Sequence, residues 1–301
     1  SSWSFAEGGK SLTLKLRQGV TFHDGTPLDA AAVVFNFDRL RSFKGSRRLN
    51  ELEGVESTTA VDAGTVRIKL KNPSMPFLSI LADRAGMMVS PKAATSAGDQ
   101  FHKAPVCAGP YRLIENVPQD RIVLGRFAQH WRSGDYHFDR VVFRGIPDSN
   151  VRLINLRADQ LQLVERLSPT DLGDVARDKR LATHQASGNG YYGITFNIAN
   201  GEAKSHDARR QRLLRQAFDL AIDRDAINKV VFDGLFEAGN QPFAPSSPYF
   251  DTARPVRARD VAAARGKLAE AGLAGTTIEL LVPTDPQRLQ AAEMMQSMLA
   301  E

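Results

Sequence analysis

The chain has 301 residues, which at roughly 150 residues per domain suggests two domains or one large one. Hydrophobic residues make up 42% and charged residues 24%, proportions that exclude wholesale disorder, and no apolar run approaches the ~18 residues a membrane helix needs. One cysteine, Cys107, excludes an internal disulfide and a cysteine-built zinc site, and the formal charge of +5 is spread along the chain.

The densest basic patch, Arg209-Arg210-Gln211-Arg212 with Arg215, has helical spacing and reads as a solvated helix face. A nucleic-acid footprint needs concentrated charge and usually aromatic platforms, so no nucleic-acid partner is expected. The chain begins Ser1-Ser2-Trp3, with no Met, charged n-region or apolar h-region, and ends inside an Ala/Met/Leu-rich helical pattern. The expectation is a fragment of a longer polypeptide. Its terminal helix, with Leu289, Met294, Met298 and Leu299, should seek a surface to cover, by self-association or by remaining poorly ordered.

Residues 11–17 alternate apolar and polar and predict a half-buried strand. Asp29 is an N-cap for a helix over 30–41, whose Val33, Val34, Phe37 and Leu40 share a face. A basic loop spans 42–50, a hairpin turns at Asp62-Ala63-Gly64 between strands 55–61 and 65–71, and a short helix or turn covers 76–82. Strands follow at 111–116, 120–126 and 140–146, and Asp148 caps a helix over 150–158. Further strands are expected at 161–164, 191–197 and 277–282, and helices at 169–176, 207–220, 224–232, 259–271 and 287–301. Gly272 is the expected residue just past the helix that ends at Ala271.

Catalytic signatures are sparse. The histidines are His23, His102, His130, His137, His184 and His206, and none has the spacing that puts two imidazoles on one helix face, so no metal site is expected. His23 beside Asp24 fits either acid–base work or a turn, and Asp24-Gly25-Thr26-Pro27 favours a turn in which the imidazole bonds nearby backbone. There is no Gly-x-Ser-x-Gly elbow and no phosphate-binding Gly-x-x-x-x-Gly-Lys-Ser/Thr loop. Cys107, among small residues, reads as a buried inert thiol.

Residues 14–37, Leu-Lys-Leu-Arg-Gln-Gly-Val-Thr-Phe-His-Asp-Gly-Thr-Pro-Leu-Asp-Ala-Ala-Ala-Val-Val-Phe-Asn-Phe, resemble the family 5 extracellular solute-binding proteins, the dipeptide-, oligopeptide- and nickel-binding components of ABC importers. The likeness continues through Trp3, Pro76-Phe77-Leu78, Cys107-Ala108-Gly109-Pro110-Tyr111, His130-Trp131, Ile146-Pro147-Asp148, Phe196-Asn197, Ala221-Ile222-Asp223-Arg224 and Ala269 to Leu273. Two departures stand out: Leu213-Leu214 interrupts the usual Val-Arg-Gln-Ala, and Cys107 replaces a glycine at a hinge-adjacent turn.

The resemblance implies an α/β, type II (class C) periplasmic binding protein-like fold, with two lobes plus an extra small α+β domain, incomplete in this chain. Residues 1–109 would be the extra domain, 110–188 part of the first ligand-binding lobe and 189–301 the start of the second. Gly109, Pro110, Gly188 and Gly190 would be the hinge or crossover residues. The implied function is capture of short peptides in an interlobe cleft, hinge closure, and delivery to an ABC permease in the inner membrane. No catalysis, no cofactor and no metal is implied, and a hydrolase is disfavoured. Glutathione, haem, a metal chelate or a sugar remain open as ligands. Arg84, Arg47 and Arg48 are the candidate cleft residues, each weighed against a solvated role. The residues that bind the ligand termini are expected beyond Glu301, the location is periplasmic, and the 301 residues alone should bind ligand weakly.

Overall fold

The computed structural model describes residues 1–185, 190–199 and 207–301. These divide into two compact units, Ser1–Gly145 and Ile146–Glu301.

The first unit carries two antiparallel sheets. Strands β1 (Ser2–Ala6) and β2 (Ser11–Lys15) precede helix α1 (Ala30–Ser42) and the single turn α2 (Leu49–Leu52), followed by β3 (Val55–Asp62) and β4 (Thr65–Leu70). The four strands lie in the order β1-β2-β4-β3. Pairing sets Leu12 opposite Ile68 and Leu14 opposite Val66, so the period-2 alternation puts these side chains on one face. Val33 and Phe37 of α1 cover that face, and Leu12, Val55, Val66, Ile68 and Phe37 are buried together. Burying each such side chain stabilises by about 1.5–3 kcal/mol. Asp29 caps α1 by accepting the Ala32 N–H at 2.9 Å, and Asp62 closes the hairpin by accepting the Gly64 N–H at 2.8 Å.

Three features of this unit have no counterpart among the predicted elements. β1 is a strand because β2 offers it a partner; Trp3 on it is more than half exposed. α2 begins at the end of the expected 42–50 loop and runs on to Leu52. After α3 (Phe77–Leu81), helix α4 (Pro91–Ala97) starts at Ser90-Pro91, where Ser90 Oγ accepts the Ala93 N–H and Pro91 takes the first helical position. The second sheet, β5 (Tyr111–Val117), β6 (Arg121–Arg126) and β7 (Arg140–Arg144), follows in chain order.

The second unit is helical: α5 (Ser149–Arg157), α6 (Leu172–Arg177), α7 (Ala208–Ala221), α8 (Arg224–Val231), α9 (Val261–Ala271) and α10 (Pro286–Ala300). Asp148, Asp207, Asp223, Asp260 and Asp285 each cap a helix through the side chain. α7 packs on α9 through Ala217, Ala221 and Ala264, small residues that let the backbones approach. The basic patch on α7 is not simply solvated. Arg210 donates to the Ala271 and Gly272 carbonyls at the end of α9, and Arg209 pairs with Glu270. α10 lies against α7 and α8, and Met298 Sδ accepts the Asp223 N–H at 3.4 Å. The strands expected at 161–164, 191–197 and 277–282 do not form among the described residues. Alternation marks a half-buried extended segment, but a strand exists only where a second strand completes its hydrogen bonds.

Candidate functional site

The segment between β2 and α1 meets the connection that leads into β5. Gly25 adopts φ +79°, the left-handed region that glycine enters without strain, and this turns the chain so that Asp24 faces Thr26 and Ser90. One carboxylate oxygen of Asp24 accepts the Thr26 N–H at 3.1 Å and its hydroxyl at 2.6 Å, and the other accepts the Ser90 hydroxyl at 2.6 Å. Burial pushes this carboxyl up, but the Ser90 and Thr26 donors and the charge of Lys92 outweigh it and hold Asp24 below the usual carboxylate range.

The His23 ring bonds backbone. Its Nδ1 accepts the Cys107 N–H at 3.4 Å, so Nε2 carries the proton and donates to the Gly109 carbonyl at 2.9 Å. The expected turn is present, but the imidazole's partners lie 84 and 86 residues away in sequence rather than nearby. With both nitrogens on backbone, the ring is occupied structurally, and the acid–base alternative has no free nitrogen to work with. Asn36, buried at 2% exposure, braces the same region by exchanging two hydrogen bonds with the Val89 backbone, both at 2.9 Å. Val89 in turn bridges Cys107. Burial pushes the Cys107 thiol up, which disfavours the thiolate.

Beyond Gly109, the Pro110 carbonyl accepts the Phe127 N–H at 2.8 Å, and the Phe127 ring meets His23 edge-on at 5.0 Å. His130 packs between Trp131 and Tyr136. Burial, the neighbouring Arg132 cation and His23 hold its imidazole below the ordinary value, partly offset by the Arg132 N–H and Asp135. Arg17 stacks over Trp131 at 3.9 Å from the ring centre. Among the described residues, no three His, Cys, Asp or Glu side chains gather as a metal site requires.

The candidate arginines pair locally or lie exposed. Arg84 lies in a single turn after α3 and pairs with its neighbour Asp83 at 3.3 Å, both well exposed. Arg48, just before α2, pairs with Glu51, and Arg47 is exposed beside it. A shallow groove between α1 and α2 is lined instead by Asp38, Arg41, Leu49, Asn50, Glu53 and Lys71. Gly109 and Pro110 sit in the junction just described. Gly190 is exposed ahead of Tyr191, whereas Gly188, the boundary at 188/189 and His206 lie outside the described residues. Ser90 and Asn36 were missed in the sequence; Ser90-Pro91 carries a helix-start signature, whereas Asn36 sits unmarked inside a helical pattern.

Residues 1–301 match the family described as bacterial extracellular solute-binding proteins, family 5 middle, and the chain belongs to that family. It is 32% identical over 272 residues to the glutathione-binding protein GsiB of Pectobacterium atrosepticum, an alignment covering 90% of this chain and 52% of the relative. The periplasmic binding protein AgaA from A. tumefaciens R10, solved with agropinic acid, superposes with a TM-score of 0.85 at 26% identity, covering 99% of this chain and 60% of that one. DppA from Helicobacter pylori, solved with the peptide STSA, gives 0.82 at 22% identity, with 99% and 62% covered, a likeness of fold. The fold is therefore the α/β type II periplasmic binding protein fold. The chain spans about half the length of the curated relatives it matches.

Proposed function

We propose that this chain is part of the solute receptor of an ABC importer, which captures short peptides in a cleft between two lobes and delivers them to a permease in the inner membrane. The family match along the whole chain carries this reading. In it, residues 1–109 are the small domain, 110–188 belong to the first lobe and 189–301 begin the second. The chain crosses between them at Gly109–Pro110 and at Gly188–Gly190. Arg84, Arg47 and Arg48 are the candidate cleft residues, since a guanidinium can hold a peptide carboxylate through two parallel hydrogen bonds. Such a receptor works in the periplasm, and capture followed by closure needs no reaction step.

Glutathione, itself a tripeptide, is the second reading, favoured by the name of the 32%-identical relative. Calorimetric titration of the full-length protein with di- and tripeptides, glutathione, a nickel chelate and haem tests both. The proposal expects saturable binding of a peptide or of glutathione, with the bound molecule recovered unchanged. Turnover of the ligand, or silence across the panel, would overturn it. Alanine at Arg84, Arg47 and Arg48 then tests each in turn: a cleft arginine lowers affinity by tenfold or more, about 1.4 kcal/mol, and a solvated one leaves it unchanged.

A further inference from the structure

The direction in which the chain enters β5 is set at the Gly109–Pro110 pair. Pro110 fixes its own φ, and as the following proline it narrows Gly109 to extended conformations without fixing ψ. Gly109 nevertheless has no side chain, and a Cβ placed there would meet nothing within 4 Å, so packing does not restrain it. Its ψ sets both where its carbonyl points and where Pro110 goes.

Several bonds hold this connection from main chain to main chain: Ser90 N–H to the Val106 carbonyl at 2.9 Å, His23 N–H to the Cys107 carbonyl at 2.8 Å, and Phe127 N–H to the Pro110 carbonyl at 2.8 Å. None of them grips the Gly109 carbonyl. The His23 ring does, at 2.9 Å, while its other nitrogen anchors it on the Cys107 N–H. Edge-on packing against Phe127 fixes the ring plane.

We propose that His23 is a positioning residue: its imidazole locks the ψ of Gly109 by gripping that carbonyl, and so aims the chain into β5. The step rests on the proposed crossing at Gly109–Pro110, which lies within the compact unit Ser1–Gly145. It assigns to His23 the stiffness of the first crossing, which the bare Gly-Pro pair would lack.

Cys107 is the chain's one cysteine and lies partly buried within the locked connection, so its rate of modification by an aromatic disulfide reagent reports opening there. Three variants separate the contributions. His23→Gln places an amide donor near the position of Nε2, His23→Phe keeps a ring against Phe127 but no donor, and His23→Ala keeps neither. The expected result is modification about three- to tenfold faster in the Phe and Ala variants. It should vary little with low urea, the mark of local rather than global opening, and the Gln variant should react at the parental rate. Parental reactivity in the Phe variant, or a Gln variant as fast as Ala, would overturn the proposal. So would modification whose urea dependence equals that of whole-unit unfolding, since His23 would then be an ordinary structural residue. No solute is present in this assay, so a receptor that binds none of the tested ligands leaves the outcome readable.

Discussion

Replacing Asn36 by alanine attacks the junction from within the core. The Asn36 side chain donates to the Ala32 carbonyl at 2.8 Å and to the Val89 carbonyl at 2.9 Å, and accepts the Val89 N–H at 2.9 Å. Ala32 lies one helical turn earlier in α1, so its carbonyl keeps the helical bond. Val89 loses the partner of both backbone groups. An orphaned buried group costs about 1–3 kcal/mol, and the half-buried Val89 falls at the lower end, so Asn36→Ala should lower the stability of Ser1–Gly145 by about 2–3 kcal/mol. At about 3 °C per kcal/mol for a unit of this size, the midpoint should fall by about 6–9 °C.

The assay is built into the sequence. Both tryptophans, Trp3 and Trp131, belong to this unit, so urea titration followed by tryptophan fluorescence reads it alone. Asn36→Asp sharpens the test, because it keeps the acceptor for the Val89 N–H but turns a carboxylate oxygen toward the Val89 carbonyl. It should be at least as destabilising at neutral pH and recover toward the parent in acid, where the protonated acid regains a donor. The exposed Asn116→Ala should stay within about 0.5 kcal/mol. An Asn36→Ala protein within about 1 kcal/mol of its parent would refute the claim that this side chain supports Val89.

Three further outcomes are expected. Because His130 is held below its ordinary value of 6.5, the unfolded chain binds this proton more readily than the folded one. Stability of the first unit should therefore be full above about pH 6.5 and decline as pH falls from there toward the folded value. His130→Asn, which can still accept the Arg132 N–H, should flatten that decline in urea midpoints taken from pH 8 to 5. Arg210→Ala uncovers the last carbonyls of α9 and should cost about 0.5–1.5 kcal/mol, read as faster amide exchange in 264–272, while Arg209→Ala, which loses only a surface ion pair, changes it little. In Gly86→Ala the new Cβ would fall against the Leu81 carbonyl, which is backbone and cannot rotate away. A loss of about 1–3 kcal/mol should appear in the same fluorescence titration.

Much of the fold was legible because its signals are local. Asp29 before an apolar 3.6-residue stripe announces α1, Asp62-Ala63-Gly64 announces a hairpin, and Gly272 at φ +63° ends α9 where a left-handed residue was expected. The family likeness was legible for a different reason: many short landmarks in one order leave few alternatives. By itself, then, the sequence determined most of the helices, the hairpins of the first unit, the caps at Asp29, Asp148 and Gly272, and the class of protein. Only tertiary structure decided the rest. β1 is a strand because β2 lies beside it, whereas 191–197 and 277–282 alternate equally well and form none among the described residues. His23 looked like a turn residue with a local partner, and its hydrogen bonds instead reach 84 and 86 residues along the chain. Asn36 and Val89 carry no joint signal, since they are 53 positions apart. Helix caps and turns satisfy their hydrogen bonds within a few residues and so can be read along the chain. A strand edge, a buried amide or an imidazole takes its partner from whatever the fold brings alongside, and that depends on the packing of the whole unit.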